Sequence, residues 1–198
     1  MSDIFLGIDP GQSGGIAFVS ADGRLQRANK MGGTEADTLS LLDFSDGVCG
    51  GVFRVRAMIE KVHAMPAVDW KSPPCAHCGQ RRTIRGAASL GTFMENFGVL
   101  RGFLIASKIP FELETALTWQ RYMHCLTKGD KNVSKARAQE LFPGVKITHA
   151  TADAILIAEY GRRKALGLLG TPIKITRKKK DPKQKAVAFA GMEGVDDF

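Results

Sequence analysis

No stretch of this sequence approaches the roughly 18 consecutive apolar residues of a membrane-spanning helix, so no membrane is expected among its partners. The opening residues MSDIFLGID place no basic region ahead of a long apolar segment, so no signal peptide is expected. Cysteine is scarce, with four residues at 49, 75, 78 and 125. A chain of 198 residues has room for a real core and does not need disulfides, and a reducing cytoplasm is the expected setting. No internal repeat is visible, which argues against a solenoid or a propeller.

Apolar residues make up 44% and charged residues 24%, ordinary values for a globular protein. The net charge of +8 is unevenly placed. Residues 1–160 hold 18 Lys/Arg against 16 Asp/Glu, whereas 161–185 hold 10 basic residues against one acid. The body is nearly neutral and a basic C-terminal stretch carries the excess. A polyanion such as nucleic acid would attract it, and a solvated terminus that aids solubility would carry the same charge.

Residues 3–9 (DIFLGID) read as a buried strand broken by Pro10 and Gly11. IAFVS and RLQRANK, joined by the hairpin signal Asp22-Gly23, complete a three-stranded meander. Residues 34–43 read as a helix capped by Thr34, and 55–62 (VRAMIEKV) as a strand interrupted by charge. Residues 66–85, rich in Pro, Cys and basic side chains, follow no period and read as an inserted loop. Apolar residues at 90, 93, 94, 97, 100, 103 and 104 form a helical stripe over 87–106. FELET is a short strand; helices follow through ALTWQRYMHCL, NVSKARAQELF and HATADAILIAEYGRRKALG. The order predicts an α/β fold with a mixed sheet and helices against its faces. Residues 1–170 make its body and 171–198 a basic, flexible tail.

Asp9 and Glu60 interrupt apolar strands, and Asp153 stands near the start of an apolar helix. One acid at a strand end is ordinarily a turn former or a cap. Three carboxylates brought into one pocket would repel unless a divalent cation stood between them. Oxygen ligands favour Mg²⁺ or Mn²⁺, and such a centre suits phosphodiester hydrolysis. His149 lies four residues before Asp153, on the same face of a helix. It reads equally as a fourth ligand, as a base that positions water, or as a solvent-facing histidine at a helix start.

GIDPGQSGGIAF, MIEKVHAMP and ATADAILIAEYGRR, in that order, resemble the RuvC-type Holliday junction resolvases of the ribonuclease H-like superfamily, and most of all their phage and prophage branch. SLGTFMENFGVLRGFL resembles that family's long helix, and TALTWQRYM with KGDKNVSKARAQELFPG its basic connector; together the likeness spans residues 3–164. The resemblance implies a ribonuclease H-like fold with a mixed five-stranded sheet. It implies a homodimeric, Mg²⁺-dependent endonuclease that cuts four-way and other branched DNA. By motif, Asp9, Glu60 and Asp153 are then the metal-binding acids. The family carries Asp or His three or four residues before the last acid; Ala150 departs from this, leaving His149 as the candidate.

In the same family the region of Arg121, Lys128, Lys131 and Lys135 contacts phosphates, and the loop of Lys61, His63 and Met65 approaches the branch point. The insert carries CAHCG, the spacing of a zinc knuckle, in which Cys75 and Cys78 read either as two ligands of a structural Zn²⁺ or as free thiols. Trp70, Lys71, Arg81, Arg82 and Arg85 flank it and suit DNA contact. Two other readings stand beside the resolvase. One is a branched-DNA-binding module without catalysis; the other is a ribonuclease H-like nuclease acting on RNA–DNA hybrids.

Overall fold

The computed structural model describes residues 2–43, 53–63, 69, 72–81, 87–127 and 130–175. The sequence expectations for Cys49, Met65, Trp70, Lys71, Arg82, Arg85, Lys128 and residues 176–198 lie outside the described residues. The elements run β1 (Ser2–Asp9), β2 (Gly15–Ser20), β3 (Leu25–Lys30), α1 (Glu35–Leu42), β4 (Phe53–Lys61), α2 (Ala87–Ala106), β5 (Phe111–Thr115), α3 (Ala116–Tyr122), α4 (Lys131–Leu141) and α5 (His149–Ala165). They form the mixed five-stranded α/β sheet of a ribonuclease H-like fold, in the order β3-β2-β1-β4-β5. β1, β4 and β5 run parallel; β2 pairs antiparallel with β1 and β3 antiparallel with β2, the expected meander.

Each central strand is apolar on both faces because helices cover both. Ile4, Leu6 and Ile8 of β1, Ile16 and Phe18 of β2, and Ala57 and Ile59 of β4 join Leu42 of α1 and Phe97, Leu100 and Leu104 of α2 in one core cluster. The intervening Ala17, Val19 and Met58 join Trp119, Ala138 and the inner face of α5 in the other. Gly7 lets α5 come down onto β1. A methyl group there would stand 2.2 Å from the Ala154 carbonyl oxygen and 2.3 Å from the Ala158 nitrogen.

Local chemistry sets the helix ends. Thr34 caps α1 as expected: its Oγ1 accepts from the Asp37 N–H at 3.1 Å and Asp37 Oδ2 accepts from the Thr34 N–H at 3.0 Å. The helix expected through ALTWQRYMHCL stops at Tyr122 instead. His124 turns left-handed (φ 58°), and the Cys125 N–H returns to the Gln120 carbonyl at 2.9 Å. That is the closing bond of a helix-terminating turn that usually contains glycine. Burial of Cys125 in the core holds it here without one. Among the described residues no helix is long and apolar enough to cross a membrane.

Candidate active site

The parallel register of β1 and β4 pairs Ile8 with Ile59, so the next residues, Asp9 and Glu60, come to corresponding positions at the carboxyl ends of the two strands. Both point to the α5 side, two residues on from Gly7 and Met58 respectively. The first turn of α5 lies over the start of β2: a methyl on Gly15 would meet the Ala150 carbonyl oxygen at 2.5 Å. One turn further along α5, Asp153 completes a half-buried triad with Asp9 and Glu60. Parallel pairing and a helix laid across it therefore unite acids that are 51 and 93 residues apart.

The three carboxyls share one electrostatic field. Burial, followed by the charges of Glu60 and Asp153, pushes the Asp9 carboxyl up to about 8, against a partial counter-pull from Lys131. Burial raises Glu60 as well, with Asp153 adding to the effect. The indole N–H of Trp119 donates to Glu60 Oε2 at 2.9 Å and pulls the other way. Burial also raises Asp153, opposed by the Ser134 hydroxyl, Lys131 and His149. The Ser134 hydroxyl stands beside Asp153, yet neither Ser134 Oγ nor Asp153 Oδ1 completes a hydrogen bond of regular geometry, and both are buried. Cys125 is buried within the electrostatic reach of Asp153. Burial and the charge of Asp153 push its thiol up to about 12.

Among the described residues no three His, Cys, Asp or Glu side chains converge tightly enough to enclose one ion. The donor set nevertheless fits a hard divalent cation. It consists of three carboxylates whose charged forms are disfavoured by burial and, for Asp9, by the charges of Glu60 and Asp153 and, for Glu60, by that of Asp153; among the described residues it includes one buried oxygen without a partner, Asp153 Oδ1. A cation among them would reverse each of these penalties.

The other expected residues divide into two groups. Lys131 opens α4 with its ammonium exposed, close enough to act on Asp9 and Asp153, and His149 opens α5, exposed, beside Asp153. Lys61 and His63 are exposed at the end of β4, and Lys135 is half-buried on α4. Arg121 is turned inward: its Nε donates to the Ile173 carbonyl at 2.8 Å and its own carbonyl accepts from the Ile173 N–H at 3.1 Å. Arg81 donates to the Ser72 carbonyl at 2.5 Å within the insert. Cys75 and Cys78 are exposed there.

Sequence reasoning missed Trp119, Ser134 and Cys125. A tryptophan four residues after the FELET strand, on a helix crossing the sheet, was the readable signal for the first. Ser134 and Cys125 carry no pattern of their own.

No protein-family model matches the chain, and no curated protein matches it. Solved structures do resemble it. The Thermus thermophilus RuvC structure superposes with a TM-score of 0.54 at 14% identity, over 86% of this chain and 99% of that one. T. thermophilus RuvC in complex with a Holliday junction substrate gives 0.55 at 12% identity, again over 86% and 99%. At such identities the likeness is one of fold.

Proposed function

We propose that this chain is a metal-dependent endonuclease that resolves four-way DNA junctions, of the RuvC type and its phage and prophage branch. The observation that carries the reading is the meeting of Asp9, Glu60 and Asp153 at the strand ends, with raised pKa values and one unpaired buried oxygen. The fold shared with a RuvC bound to a Holliday junction substrate supports the choice of substrate.

Asp9, Glu60 and Asp153 would hold Mg²⁺, or Mn²⁺ in its place. When bound, the ion would polarise the scissile phosphate and acidify a water. Trp119 keeps Glu60 oriented toward the site. Lys131, exposed beside the acids, meets the phosphate and offsets charge that develops on its oxygens. His149, at the open edge next to Asp153, completes the ligand set or takes a proton from water. Lys61, His63 and Lys135 extend the DNA face, with Lys128, Arg81 and Arg82 as the further phosphate contacts expected from the sequence, while Arg121, bonded to Ile173, supports that face from within rather than meeting phosphate directly. Two copies bring two such sites to one junction and give paired nicks. Residues 1–170 form the nuclease domain, the basic residues of the tail 171–198 add electrostatic attraction to DNA, and the enzyme works in the cytoplasm.

The test is incubation of a labelled four-way junction with the protein and Mg²⁺, beside Asp9→Asn and a linear duplex. Symmetric nicks in the junction alone, absent with Asp9→Asn, are expected. Tight junction binding without cleavage in Mg²⁺ or Mn²⁺ would replace this reading with the binding module. Preferred cutting of an RNA–DNA hybrid would replace it with the hybrid nuclease.

A further inference from the structure

Cys75 and Cys78 stand outside the acid site, in a turn whose residues 73–80 are exposed throughout. The backbone closes the turn at both ends. The Cys75 N–H donates to the Gln80 carbonyl at 2.8 Å, and the Gly79 N–H donates to the Cys75 carbonyl at 2.9 Å. Gly79 takes a left-handed φ of 67°, open to glycine without strain. The turn thus presents two exposed thiols three residues apart, on a loop closed by backbone hydrogen bonds. That is what a soft divalent ion requires of a C-x-x-C pair.

Two thiolates are half of a tetrahedral zinc shell. Among the described residues no third His, Cys, Asp or Glu side chain joins the pair. Cys125 is fully buried in the core, and the sequence holds no second C-x-x-C. Among the described residues nothing lies within 4 Å of a methyl placed on Gly79, and residues 73–80 are all exposed. About a two-fold axis the same patch of both copies meets itself, so an identical pair can supply the other half of such a shell. We infer that Cys75 and Cys78 form half of a structural Zn²⁺ site, completed by the same pair of a second copy of this chain. Each sulfur gives up its proton to solvent as the metal binds.

The experiment is native mass spectrometry of the reduced full chain titrated with Zn²⁺, on the wild type and on Asp9→Asn, so that ions at the acids are not counted with those at the turn. A dimer carrying one tightly held Zn²⁺ per two chains is expected in both. Cys75→Ser and Cys78→Ser, placed in an exposed turn, should each keep the far-ultraviolet circular dichroism of the wild type and lose the ion. Co²⁺ in place of Zn²⁺ should give the visible and near-ultraviolet bands of a tetrahedral four-sulfur centre in the wild type, a readout that needs no variant. One ion on each monomer, a cobalt spectrum with fewer sulfur ligands, zinc retained by the Cys75→Ser chain, or a Cys75–Cys78 disulfide with no metal uptake after reduction would each overturn the inference. The outcome is independent of junction cleavage.

Discussion

The indole N–H of Trp119 reaches Glu60 Oε2 at 2.9 Å, joining residues 59 positions apart. Trp119 is fully buried beneath the sheet and cannot follow a wandering carboxylate. The bond therefore fixes one acid of the triad and lowers its pKa against the effect of burial. Hydrogen bonds to charged groups contribute about 1.5–3 kcal/mol. Trp119→Phe keeps most of the ring volume and removes the donor. It is expected to cut junction cleavage about tenfold, the effect of roughly 1.4 kcal/mol on the barrier. The acid limb of the pH–rate profile should move upward with it, because Glu60 then ionises later. A variant with unchanged rate and profile would remove Trp119 from the site.

Asp9 makes stability depend on pH in an unusual direction for a carboxylate. Its folded pKa is raised from 3.8 to about 8, so the folded chain keeps a proton that the unfolded chain has released. The contribution of this proton is fully present below 3.8 and is lost as pH climbs through about 8. With chelator present, the thermal midpoint should therefore fall as pH rises across that window, and Asp9→Asn should flatten the fall. Each pKa unit relieved is worth about 1.4 kcal/mol. For a chain of this size that moves Tm by roughly 2–4 °C. Mg²⁺ should restore the midpoint of the wild type at alkaline pH and leave that of Asp9→Asn unmoved. Scanning calorimetry across the window checks all three.

Lys131 acts on two acids at once, lowering both Asp9 and Asp153. Lys131→Ala is expected to reduce cleavage by about 10²-fold, the scale on which a preorganised electrostatic partner of a reacting group acts. The metal-free protein should also become more sensitive to alkaline pH. Lys135→Ala, one turn further along α4, should weaken DNA binding with a shallower salt dependence and leave the pH profile of cleavage in place. Filter binding at several salt concentrations, beside single-turnover cleavage, separates the two lysines.

Gly7→Ala places a methyl group 2.2 Å and 2.3 Å from backbone atoms of Ala154 and Ala158. No rotamer relieves a clash with main chain, so α5 has to lift from β1. A stability loss of about 3 kcal/mol or more is expected in urea titration. Because α5 carries Asp153, the fraction that still folds should cleave poorly even where Mg²⁺ is in excess.

Local chemistry that lies within a few residues was readable directly. The break at Pro10-Gly11, the Asp22-Gly23 hairpin and the Thr34 cap rest on turn and capping preferences, and the structure has strands and a helix bounded there. The end of α3 was not readable. A left-handed His124 without glycine is held by burial of the following Cys125, and burial belongs to the whole fold.

The same division runs through the site. By itself the sequence determined that Asp9 and Glu60 end apolar strands and that Asp153 opens an apolar helix, because the alternation of apolar and polar side chains records which residues a sheet or helix must bury. It determined the C-x-x-C spacing and the place of the basic stretch as well. Only the tertiary structure decided that β1 and β4 are parallel neighbours in the register that aligns Asp9 with Glu60, and that α5 descends on Gly7 to bring Asp153 to them. Only there do Trp119, Ser134 and Cys125 surround the acids, and there the guanidinium of Arg121 turns inward to Ile173. The physical reason is range. Periodicity and capping are written into neighbouring residues, whereas the pairing of strands and the raised pKa of a carboxyl come from groups that meet only after the chain has folded.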